Sequence, residues 1–150
     1  MDDLRELYQT TILDHNKKPR NFRVPDRVNH DADGFNPLCG DKVTVYLQVE
    51  NGTISDAGFQ GSGCAISTAS ASMMTEAIKG RPLEEVLALF DSFHNLVTSP
   101  ALDEPVTEGV GKLTVFAGVR EFPMRVKCAT LAWHTLISAL EDSGETAKTE

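Results

Sequence analysis

The chain has few of the features that mark secreted, membrane-spanning or nucleic-acid-binding proteins. It contains only three cysteines, Cys39, Cys64 and Cys128. An odd number cannot form a closed set of intramolecular disulfides, so at least one thiol is free, metal-bound or reactive. No apolar run approaches the roughly 18 residues that a membrane span needs. The opening Met1-Asp2-Asp3 lacks the basic residues and apolar stretch of a secretory signal, so a cytoplasmic location is expected. Basic residues are scarce as well: 14 Lys and Arg stand against 22 Asp and Glu, a formal charge of −8. That balance disfavours a phosphate backbone, and neither nucleic acid nor a membrane is expected as a partner. There is no internal repeat and no low-complexity block.

The 150 residues, 41% hydrophobic and 24% charged, suit one globular domain. Its expected extent is 1–140, with 141–150 an acidic, disordered tail that has no apolar anchor.

Local periodicity predicts the elements. Asp2 or Asp3 can cap a first helix with Leu4, Leu7, Tyr8, Thr11 and Ile12 on one face, stopped by Pro19. A loop-rich stretch, 17–37, follows. From Lys42 the period is two, with Val43, Val45, Leu47 and Val49 on one side, and Asn51-Gly52 is a strong hairpin signal. The partner strand, around Ile54 to Gln60, runs into Gly61-Ser62-Gly63, and Cys64 stands where a helix opens. That helix, 65–79, is rich in small residues; Gly80 ends it. A further helix from Leu83 to about Phe93 is expected to bury Leu83, Val86, Leu87 and Phe90. The stretch 91–111 reads as irregular. A last helix, from Met124 or Cys128 to Leu140, carries Ala129, Ala132, Trp133, Leu136 and Leu140 in phase. A hairpin flanked by runs of helices predicts an α+β fold, a small antiparallel sheet packed against helices.

Three separated thiols can be three buried apolar side chains, a lone nucleophile with two bystanders, or a metal or redox site. Their settings favour the last. Cys64 lies at a helix N-terminus and Cys128 has Arg125 and Lys127 beside it, both conditions that stabilise a thiolate. In Cys39-Gly40-Asp41 the glycine permits a tight turn that brings a sulfur and a carboxylate towards one point. Three thiolates and one carboxylate make a plausible four-coordinate set, and soft sulfur donors select zinc or iron over magnesium or calcium.

Three stretches together resemble the IscU and NifU N-terminal family of iron–sulfur cluster assembly proteins: Cys39-Gly-Asp41, Gln60-Gly-Ser-Gly-Cys-Ala-Ile-Ser-Thr-Ala-Ser-Ala-Ser72, and Arg125-Val-Lys-Cys-Ala-Thr-Leu-Ala-Trp133. The segment His15-Asn-Lys-Lys-Pro-Arg-Asn21 is similar to that family's opening, so the likeness runs from about residue 4 to residue 140. It implies a sheet of about three strands with the cysteines and aspartate gathered at one end. Lys127, where scaffold members usually have histidine, and a longer link before the third cysteine look like the SufU branch. That branch implies zinc held by Cys39, Asp41, Cys64 and Cys128. It also implies Cys39 as acceptor of persulfide sulfur from a cysteine desulfurase, which the protein activates. A desulfurase histidine would replace Cys39 on the metal, and a downstream cluster-assembly scaffold would receive the sulfur.

The alternatives are a scaffold carrying iron as a transient [2Fe–2S] cluster and a protein whose zinc is purely structural. The sulfur relay would make the protein a sulfurtransferase rather than a stand-alone enzyme. Arg125 and Lys127 are candidates for tuning the Cys128 thiolate or touching a partner. His15 and Arg20 read as complements to a helix dipole or as partner contacts. His30, His94 and His134 read as surface or packing residues, Met73, Met74 and Trp133 as core.

Overall fold

A computed structural model describes residues 10–141 and the backbone of 147–148. The elements are α1 (Thr10–Lys17), β1 (His30–Asn36), β2 (Asp41–Glu50), β3 (Thr53–Ser62), α2 (Ala65–Ile78), α3 (Leu83–Thr98), a 3₁₀ helix (Gly111–Glu121), α4 (Pro123–Glu141) and β4 (Ala147–Lys148). The sheet order is β3-β2-β1-β4. The first three strands form an antiparallel meander, and β4 pairs parallel with Gly34 and Phe35 of β1. This is the expected α+β arrangement. The start of the expected first helix, with Leu4, Leu7 and Tyr8, lies outside the described residues, as does most of the tail.

The β2–β3 hairpin follows its sequence. Asn51 and Gly52, at φ of 53° and 74°, form a tight turn whose twist matches the strands. Val43, Val45 and Leu47 are buried, with polar neighbours between them. Strict alternation would put Ile54 and Ala57 on opposite faces, yet both are fully buried. A register shift resolves this: Gln48 pairs with Asp56 and Val49 with Ile54, so Ser55 is the extra residue of a bulge. Its hydroxyl donates to the Gln48 carbonyl at 3.1 Å.

Strand β1 lies in the stretch expected to be loop. HDADGFN has almost no apolar alternation, and its strand form is imposed by the ladder with β2 and by α4 packed on it. Two expectations for the third helix are corrected. It continues to Thr98, and its buried face is Val86, Leu89, Phe93, Leu96 and Val97, whereas Leu87 is exposed. The stripe shifts because α3 packs against both the 3₁₀ helix and α4, so its buried arc follows two neighbours rather than one seam.

Helix α4 covers β1 and β2, α2 covers β3 and packs on α4, and α1 packs on α2. Trp133 is fully buried between these layers, stacked on Phe93 at 4.5 Å between centroids, with Phe93 edge-on to Phe116. Its indole N–H donates to Ser70 Oγ at 3.1 Å, so the buried polar tip is satisfied. Met73 and Met74 fill the core as expected. No described helix is long and apolar enough to cross a membrane.

Candidate metal centre

Three loops and helix starts meet at the end of the sheet where β1 turns into β2. Asn36 ends β1, residues 37–40 form the turn, and Asp41 begins β2. The turn is closed by the Gly40 N–H bonding the Asn36 carbonyl at 2.8 Å. Gly40 takes φ of +76°, a left-handed conformation that glycine adopts without steric cost, and the reversal places Cys39 at the exposed tip with Asp41 beneath it. Gly63 is a second necessity: a Cβ there would stand 2.8 Å from Asp41 Oδ1, so only glycine lets the carboxylate approach the start of α2.

Cys64 is the N-cap of α2, its sulfur accepting from the Ser67 N–H at 3.4 Å. The Cys64 N–H in turn bonds Asp41 Oδ1 at 3.0 Å. Cys128, in the second turn of α4, is fully buried. Sγ of Cys39, a carboxylate oxygen of Asp41 and Sγ of Cys128 all lie within 4.8 Å of one another. Cys64 joins them through Asp41, its sulfur 3.9 Å from Oδ2. All four expected residues are thus brought to one place, three as a close trio and Cys64 at its side.

Electrostatics divides Cys64 from Cys128. Cys64 is held below the usual thiol range, chiefly by the neighbouring Cys128 thiol and then by the N–H groups of Ser67 and Ile66, with burial and Asp41 opposing. Cys128 moves the other way, raised by Cys64, by burial and by Asp41.

Three sulfurs and one carboxylate are donor types that suit a zinc ion. With zinc–sulfur bonds of about 2.3 Å, the edge of a coordination tetrahedron is about 3.8 Å. The Cys39–Cys128 separation of 3.8 Å equals that edge and Asp41 joins these two within 4.8 Å, whereas Cys64, 3.9 Å from Asp41, lies outside the trio and would have to close in to share an ion with all three.

The flanking residues sort unevenly. Arg125 brings Nη1 to 4.0 Å from Cys128 Sγ, whereas Lys127, half-buried, forms no hydrogen bond or ion pair with the sulfurs among the described residues. Asn36 was not singled out by sequence reasoning. It is fully buried, with Nδ2 4.0 Å from Cys128 Sγ and Oδ1 accepting from the Leu38 N–H at 3.1 Å. An asparagine directly before Pro37 is a turn-starting signal that could have found it. His15 is neither the exposed dipole complement nor the partner contact expected of it. It is buried, with Nδ1 2.7 Å from Ser72 Oγ, because α1 lies against α2. Arg20 does bind near the helix end, pairing with Asp14 at 2.6 Å. His94 and His134 pack around Phe90, and His30 Nδ1 lies 3.0 Å from the Ala139 carbonyl oxygen, all packing roles.

Fold and site together define a sulfur-rich centre presented at one end of an α+β domain. The chain belongs to the family of NifU-like N-terminal domains, which matches residues 7–142. It is 39% identical to the iron–sulfur cluster assembly scaffold protein IscU of Streptococcus pyogenes, covering 95% of this chain and 88% of that protein. It is 40% identical to the zinc-dependent sulfurtransferase SufU of Bacillus subtilis, covering 89% of each. Among solved structures, a putative cluster assembly scaffold for the SUF system from Fervidobacterium islandicum superposes with a TM-score of 0.82. It shares 34% identity over 89% of this chain and 96% of that one.

Proposed function

We propose that the protein is a zinc-dependent sulfurtransferase of the SufU type, in which Cys39, Asp41, Cys64 and Cys128 hold the metal and Cys39 accepts sulfur from a cysteine desulfurase. The observation that carries this reading is the graded exposure of the thiols: Cys39 is exposed, Cys64 half-buried and Cys128 buried. Cys39, the most exposed of the three, can meet a donor sulfur with the least rearrangement.

Zinc, when bound, keeps its sulfur ligands ionised and occupies their lone pairs. The chain's own residues do the rest. The left-handed Gly40 turns the chain so that Cys39 stands at the tip while Asp41 is anchored to the Cys64 N–H. The Cys39 thiolate attacks the outer sulfur of the donor persulfide. A new S–S bond forms, the donor's S–S bond breaks, and the donor cysteine departs as a thiolate, leaving Cys39 as the persulfide. No net oxidation occurs. The sulfur then passes to a downstream cluster-assembly scaffold.

Anaerobic incubation with a cysteine desulfurase and cysteine, followed by peptide mass spectrometry, tests the assignment. One added sulfur on Cys39 is expected, together with faster desulfurase turnover; an adduct confined to Cys64 or Cys128 overturns it. A second reading, a scaffold for a transient [2Fe–2S] cluster, is favoured by the IscU relative at 39% identity. Anaerobically purified protein separates the two: colourless and zinc-loaded for the relay, brown and without zinc for the scaffold.

A further inference from the structure

A cavity of about 500 Å³ lies on the surface between α2, Arg81 in the link to α3, Leu89 of α3 and residues 109–113 at the opening of the 3₁₀ helix. Met73, on its wall, sits in the third turn of α2, whereas Cys64 caps the helix start, so the cavity is separate from the thiol cluster. Its floor is apolar: Met73, Leu89, Val110 and Leu113 are all buried and all line it. Its mouth is charged, by the exposed side chains of Arg81, Lys112 and Glu76.

Arg81 and Lys112 place two cations at one rim in a chain of net charge −8. Neither side chain makes a hydrogen bond or ion pair with another described residue. Two cations without an ion-pair partner among the described residues, at the rim of a recess floored by apolar side chains, are the complement of an anion that carries an apolar chain. The volume falls in the range of small-molecule sites, roughly 300 to 1,000 Å³. Glu76 limits the class: its carboxylate on the same rim disfavours a second negative charge on the ligand, which points to a monoanion.

We propose that this cavity binds a small amphipathic monocarboxylate, its head between Arg81 and Lys112 and its chain against Met73, Leu89 and Leu113. The 99–121 segment, which the sulfur chemistry does not use, thereby acquires a role: it supplies Val110, Lys112 and Leu113 to one wall.

The test uses hexanoate, hexanol and hexylamine as probes with the isotope-labelled, zinc-loaded full chain, read by amide chemical shifts. Hexanoate is expected to give saturable shifts concentrated at residues 73–81 and 109–113, with hexanol at least tenfold weaker and hexylamine weaker still. Arg81→Gln combined with Lys112→Gln should weaken hexanoate at least tenfold and leave sulfur uptake by Cys39 unchanged. Ala77→Phe, which keeps both cations and fills the recess, should abolish the shifts while a matching melting temperature shows the fold intact. Equal binding of hexanoate and hexanol, tighter binding of hexylamine, or shifts scattered over the surface would each overturn the proposal.

Discussion

The sulfur of Cys128 lies 3.8 Å from that of Cys39, although 89 positions separate them and one is buried while the other is exposed. That relation makes the two thiols unequal in what their loss should do. In zinc-free protein, Cys39→Ala removes an exposed side chain and should change unfolding free energy by no more than about 0.5 kcal/mol. Cys128→Ala opens a gap in the core and should cost about 1 kcal/mol or more. Both should abolish sulfur uptake. Urea melts in a chelator, set beside the persulfide assay, check the pair.

Removing the metal should itself destabilise the fold, because a ligand that binds only the native state adds RT ln(1 + [L]/Kd) to its stability. A chelator is therefore expected to lower the melting temperature of the wild-type chain by several degrees and that of Asp41→Ala by far less. Scanning calorimetry with and without chelator measures the difference; equal shifts in the two proteins would remove Asp41 from the ligand set.

Arg125 and Lys127 divide on geometry. With Nη1 4.0 Å from Cys128 Sγ, Arg125 can favour negative charge on the cluster. Arg125→Gln is expected to slow sulfur uptake about fivefold, the rate equivalent of roughly 1 kcal/mol for a solvent-screened charge. Lys127→Gln should change it less than twofold. Single-turnover transfer from a persulfidated desulfurase reads both, and a larger loss at Lys127 would reverse the assignment.

The two flanking residues also show where sequence reasoning stops. Adjacency in sequence made them equivalent, but on a helix side chains three apart share a face and those one apart do not, so Arg125 and not Lys127 reaches Cys128. The same limit explains the other misses. The β2–β3 hairpin was legible because alternation and Asn51-Gly52 are local signals. Strand β1 was not, because its strand character comes from β2 and α4. The position of Ser55 in a bulge, the phase of α3 and the burial of His15 are likewise set by partners distant in sequence. The thiol cluster was legible only through three motifs in order; its carboxylate anchor on the Cys64 N–H and the approach of Asn36 needed coordinates.

His15 predicts a pH dependence. Burial, helped by Arg20, draws its pKa below the ordinary value near 6.5, against the pull of Glu76 and Asp14. The folded state therefore binds fewer protons than the unfolded state between the lowered pKa and about 6.5. This contribution is intact above that pH and is lost as pH falls through it towards the folded pKa. Urea midpoints should decline from about pH 7 to about pH 5.5, and His15→Gln, which keeps a partner for Ser72, should flatten the decline. An unchanged slope in the variant would assign the acid sensitivity elsewhere.

Gly63 offers a test of the centre that replaces none of the four proposed ligands. An added Cβ would meet Asp41 Oδ1 at 2.8 Å, Asp41 Cγ at 3.1 Å and Ser67 Oγ at 3.2 Å. Ser67 can turn aside, but Asp41 is fixed by its bond to the Cys64 N–H and is 1% exposed, so the strain falls on the carboxylate. Gly63→Ala should therefore weaken zinc binding by about tenfold or more, the scale seen when groups that orient metal ligands are disturbed. Stability of the metal-free protein should move by less than about 1 kcal/mol, since Gly63 lies outside the hydrophobic core. Competition with a chromophoric chelator gives the affinity and urea melts give the stability. A loss of stability without a loss of zinc affinity would mean that Asp41 braces the start of α2 and does not serve the metal.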